Sequence, residues 1–131
     1  MSKAVLISVD VAGRGKVEVV DWQDKPGLSE HYAAIECDLV QIAGVGKFGG
    51  VPVVMFVDEE GLLRNEVLLN LTACDFLAEA TKSAPAYLMG GGLVGRALVL
   101  FDEGSDSRGF TEAEMAKVGA QLSKGGYPVA H

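Results

Sequence analysis

Val51 to Val57 is the longest apolar run in the chain, and it is only as long as a β-strand. A bilayer-spanning helix needs about 20 apolar residues, so no stretch here reads as a membrane anchor. The other aliphatic runs are equally short and are broken by glycines and acidic turns. A chain punctuated this way builds its core from a sheet of short strands.

The strands can be placed from residue type. Lys3 to Val9 is aliphatic and β-branched, and Lys16 to Trp22 alternates with Val17 and Val19 on one face. Gly13-Arg14-Gly15 supplies a turn between them, predicting an opening hairpin. Leu39 to Val45, Val51 to Val57 and Arg96 to Phe101 read as three further strands. A glycine-rich turn is expected at Gly46 to Gly50. Pro52 belongs at the start of a strand or on a sheet edge, because it cannot donate to a ladder. Asp58-Glu59-Glu60-Gly61 reads as a β-turn, and Asp102 to Gly109 as an acidic, solvated loop. Leu62 to Leu69 is apolar with a polar centre and fits strand, loop or helical turn.

Three helices are expected. Leu28, Tyr32 and Ile35 make an apolar stripe for a short one over Ser29 to Glu36. Thr72 is the expected cap of a second, with Asp75 completing a box-like arrangement and Leu71 and Phe76 as its staple. It should stop near Ser83, ahead of Pro85. Thr111 and Glu114 form a capping-box pattern for the third, with Phe110 and Met115 as staple and Gly125-Gly126 as the stop. Strands and helices do not alternate strictly, and at least two strand pairs are joined by short turns. The expected fold is therefore α+β: a mixed or mainly antiparallel sheet of about five strands with about three helices packed on it.

With 131 residues, of which 49% are hydrophobic, residues 1–131 read as a single domain. The net charge of −7 repels nucleic-acid backbones and anionic headgroups. No non-specific nucleic-acid partner and no membrane partner are expected. The start of the chain lacks the apolar region and cleavage site of a signal peptide. Cys37 and Cys74 are isolated and read as buried thiols. The expected location is a reducing cytoplasm.

The catalytic and metal patterns are mostly negative. Gly44-Val45-Gly46-Lys47-Phe48-Gly49 matches GxGxxG but leads into a strand, whereas a dinucleotide loop opens a helix. Gly90 to Gly95 repeats the match and also leads into a strand. Both read as turns. His31 and His131 are the only histidines, and no HExxH, CxxC or GxSxG is present. No catalytic residue, metal or cofactor is assigned. Arg64 and Arg96 stand out because each interrupts an apolar run. Such a guanidinium is paired, for instance with Asp58 or Glu60, or faces solvent or a pocket.

Three stretches, Ile35-Glu36-Cys37-Asp38-Leu39-Val40, Phe56 to Asn65 (with Val57-Asp58-Glu59-Glu60-Gly61-Leu62-Leu63) and Gly92 to Leu100, together resemble a small domain family of unknown function found in bacteriophages and plasmids. Glu36 departs from the glycine usual there, and Val67 to Leu88 is longer than in the family. The resemblance covers roughly Val5 to Phe101, so residues 1–101 read as a family-like core and 102–131 as an acidic loop and C-terminal helix. It implies a mobile-element origin and an association with functions against host defence, but no reaction.

The expected function is that of a non-catalytic binder of a host signalling nucleotide or other small anion. Arg64 and Arg96 would meet the anion, Asn65 and Asn70 a base or sugar edge, and Tyr87 (or Tyr32) would stack, with Asp58 beside them. A homo-oligomer is expected from the apolar surplus. Two other readings stay open: a host-protein interaction module acting through a sheet edge, and a small hydrolase or lyase using carboxylates such as Asp58 and Glu60.

Overall fold

The structure is a computed structural model. It describes residues 2–10, 12, 14–22, 40–58, 69–83, 93, 95–104 and 106–129. The strands are β1 (Ser2–Val9), β2 (Gly15–Trp22), β3 (Val40–Phe48), β4 (Val51–Asp58), β5 (Ala97–Asp102) and β6 (Ser107–Arg108). The helices are α1 (Leu71–Thr81) and α2 (Glu112–Lys124). All pairings among these strands are antiparallel, in the order β2-β1-β5-β4-β3, with β6 against the end of β5. The α+β class with an antiparallel sheet is thus as expected. The described residues hold two helices, not about three. The helix expected over Ser29 to Glu36 lies outside them, as does Leu62 to Leu68.

The sheet is apolar on both faces. Strand side chains alternate between faces. Val5, Ile7, Val53, Met55, Val57, Ala97 and Val99 fall into one buried cluster, and Ala4, Val54, Phe56, Leu98 and Leu100 into another with Trp22. Ala73, Phe76 and Ala80 of α1 and Val118 and Leu122 of α2 all join the first cluster. Neither described helix contributes to the second. This double burial explains why β4 and β5 read as unbroken aliphatic runs rather than alternating ones.

Glycines decide how α1 sits. A Cβ on Gly44 would lie 2.9 Å from Leu77 Cδ1, and one on Gly46 would lie 2.2 Å from the Ala80 carbonyl oxygen. The GxGxxG match is therefore mostly strand. Its first two glycines leave β3 bare where α1 presses on it. The turn expected over Gly46 to Gly50 shrinks to Gly49-Gly50, with φ of 61° and 81°, values suited to glycine in a two-residue hairpin. Phe48, which follows this strip, stacks on Phe76 with ring centroids 4.0 Å apart.

The caps divide. Thr111 Oγ1 accepts from Glu114 N and the Glu114 carboxylate accepts from Thr111 N, the expected capping box. At α1 the cap is Asn70, not Thr72. Leu71 is exposed, so the expected Leu71–Phe76 staple does not form. The acidic loop is also more ordered than expected. Ser107-Arg108 pairs back on Phe101-Asp102, and Arg108 lies over the Phe101 ring. Arg96 stands just ahead of β5 rather than inside it, and is part-buried.

Candidate functional site

An open cleft of about 660 Å³ lies where the β3–β4 hairpin, the last turn of α1 and Gln121 of α2 meet. Its walls include Lys47, Gly49 and Gly50 from the hairpin, Glu79 and Lys82 from α1, and Gln121 from α2. The size falls within the range of small-ligand pockets.

Each wall has a local cause. Bare Gly46 lets the end of α1 approach β3, and the hairpin turn brings Gly49 to α2, where an added Cβ would lie 2.8 Å from Lys117 O. The helix ends in a reverse turn. Lys82 N donates to Glu79 O at 3.4 Å and Ser83 N to Ala78 O at 3.0 Å, with Lys82 at φ 56° and ψ 45°. Thr81 Oγ1 donates back to Leu77 O at 2.8 Å.

Glu79 is held from the α2 side. Gln121 Nε2 donates to its Oε2 at 2.8 Å and the Tyr127 hydroxyl to its Oε1 at 3.2 Å. Burial, then the negative charge of Glu79, push the Tyr127 phenol well above its ordinary pKa, so it stays a donor. The Tyr127 ring meets Phe48 and Phe76 edge-on at 5.8 and 6.1 Å. The cleft therefore has an oriented carboxylate with free lone pairs and two exposed ammonium groups. That arrangement suits a ligand with an anionic end and a hydroxyl or amine end.

Two smaller clefts of about 310 Å³ differ in character. One, beside Ala43, Leu77 and Leu93, contains the buried Cys74, whose Sγ accepts from Leu93 N at 3.3 Å. The other lies among Val19, Leu122, Tyr127 and Val129. Among the described residues that line them, none is charged.

Of the residues singled out from sequence, Arg64, Asn65 and Tyr87 lie outside the described residues, as do Tyr32, Glu60, Cys37, His31 and His131. Asp58 closes β4 opposite Val40. Asn70 is a correction. It is 0% exposed, and its amide serves the fold. Nδ2 donates to Ile7 O at 3.0 Å and Gly95 O at 2.7 Å, and Oδ1 accepts from Ala73 N at 3.0 Å. With both amide hydrogens used, it has no donor left for a base edge. Arg96 is not among the described residues that line the cleft. Sequence reasoning missed Lys47, Glu79, Lys82 and Gln121. The available signal was Lys47 itself, a cation set among the glycines of the GxGxxG match.

Among the described residues no group of three His, Cys, Asp or Glu side chains could hold a metal ion, and no helix is long and apolar enough to cross a membrane. The described residues define an α+β protein with a two-faced antiparallel sheet and a charged, open cavity at the C-terminal end of α1. Set against protein-family models, curated proteins and solved structures, the chain matches none.

Proposed function

We propose that the protein is a non-catalytic binder of a small phosphate-bearing ligand, a signalling nucleotide being the leading class. The observation that carries this reading is the convergence of Lys47 and Lys82 on the cleft of about 660 Å³, in a chain whose net charge is −7. Two cations on one cavity of an acidic protein provide a local anion site that the overall field does not. Glu79, anchored by Gln121 and Tyr127, would accept from ribose hydroxyls or a base amine at the other end. The resemblance to phage and plasmid proteins supports a mobile-element origin, action in the host cytoplasm and a part in anti-defence.

One observation favours a second reading, a host-protein module. Ile42 and Val45 of β3, the last strand in the described order, are 60% and 52% exposed. Such an edge suits strand addition by a partner, and the same surface is where a homo-oligomer would form.

The test is native mass spectrometry of the protein purified from cells, with identification of small molecules released on denaturation, followed by melting against a nucleotide panel. A stoichiometric nucleotide, or one that raises the melting temperature and loses its effect in Lys47→Ala, supports the binder. An empty protein that no nucleotide stabilises refutes it, and a stoichiometric host protein would establish the second reading.

A further inference from the structure

Lys82 is the only non-glycine residue with a positive φ among the described residues. Glycine, or less often asparagine, is the usual residue at such a helix end, because a Cβ is disfavoured there. A lysine in this position sacrifices stability, and strain of this kind concentrates where a side chain is needed for function. The same residue lines the charged cleft, as does Lys47 of β3. From these two observations we infer that Lys82 is the specificity-determining residue of the cleft, kept in the left-handed conformation because its ammonium, with that of Lys47, binds the phosphate group of the ligand. This rests on the binder reading above and assigns the anionic end of that site.

The left-handed geometry makes the test unusually clean, since the informative variants should fold at least as well as the natural chain. Lys82→Gly and Lys82→Asn both suit the backbone and remove the charge. Inorganic pyrophosphate is the probe, followed by backbone and lysine side-chain NMR, with the nucleotide panel run in parallel. In the natural protein, signals of Lys47, Gly49, Gly50 and Lys82 should shift saturably. Both variants should melt at or above the natural temperature and bind pyrophosphate about tenfold more weakly, the effect of one charge-assisted contact. Lys82→Arg should retain most of the binding, and Lys124→Ala, on α2 outside the cleft, should bind like the natural chain.

A lower melting temperature in Lys82→Gly overturns the strain argument, and unchanged pyrophosphate affinity in both neutral variants overturns the assignment. If a nucleotide binds the natural protein and the neutral variants equally, the Lys82 inference fails while the binder reading survives. If neither pyrophosphate nor any nucleotide binds the natural protein, both fail.

Discussion

Gly46 and Ala80 meet main chain to main chain: a Cβ on Gly46 would stand 2.2 Å from the Ala80 carbonyl oxygen. The neighbour is backbone and cannot rotate away, so Gly46→Ala must push α1 off β3. Overpacking of this kind costs about 1–3 kcal/mol. Urea denaturation of Gly46→Ala should show a lower midpoint, and because Gly46 and Ala80 both line the cleft, ligand binding should weaken too. An unchanged midpoint would mean that α1 and β3 are not in close contact.

Gly119 predicts the opposite sign. It lies inside α2, and a Cβ there would meet nothing within 4 Å. Glycine in a helix interior costs about 1 kcal/mol relative to alanine. Gly119→Ala should raise the urea midpoint by the equivalent of about 0.5–1 kcal/mol. A loss of stability would show that the space between α2 and β2 is smaller than it is here.

Asn70 joins three parts of the chain through one amide: β1 at Ile7, the entry to β5 at Gly95 and the first turn of α1 at Ala73. Asn70→Ala removes a helix cap, worth about 1 kcal/mol. It also leaves two carbonyls without their donor, at about 1–3 kcal/mol for a buried group left unsatisfied. The expected loss is about 3 kcal/mol by chemical denaturation, with α1 amides losing hydrogen-exchange protection first. Asn70→Asp keeps the cap oxygen but sets a carboxylate against those carbonyls, so it should be no better at neutral pH.

Glu114 ties the acid limb of stability to one ion pair. Two hydrogen bonds from Arg108, at 2.7 and 2.9 Å, and the Thr111 backbone hold its carboxyl at about 2, against an ordinary 4.5. A lowered folded pKa contributes stability that is complete above the unfolded value and is lost as pH falls through the folded one. The natural protein should therefore lose this contribution between about pH 4.5 and 2. Glu114→Gln should be less stable at neutral pH and show a shallower acid limb, with the two converging toward pH 2 in pH-dependent denaturation. Parallel acid limbs would rule out the Arg108–Glu114 pair as their source.

Features confined to a few adjacent residues were legible from the sequence. The capping box at Thr111 and Glu114 needs partners only three residues apart, and both form it. The β1–β2 hairpin follows from an aliphatic run, an alternating run and a short turn between them, and its register runs unbroken from Ser2–Trp22 to Val9–Gly15. The strand-sized apolar runs determined the antiparallel α+β class, because each could be buried only by pairing with its neighbours. Glycine content was equally plain, but its purpose was not.

Tertiary structure decided what depends on residues distant along the chain. Asn70 displaces Thr72 as the α1 cap because its amide also reaches Ile7 and Gly95, a gain that no local pattern contains. Gly44 and Gly46 look like a turn or a phosphate loop in sequence, and become a bare strip only once α1 lies on β3. The cleft is assembled from Lys47, Glu79, Lys82 and Gln121, which share no motif. Local hydrogen bonds and turn preferences act over a few residues, so a sequence displays them. A site made by packing a helix onto a strand exists only after the backbone has closed, and its residues carry no mark of one another until then.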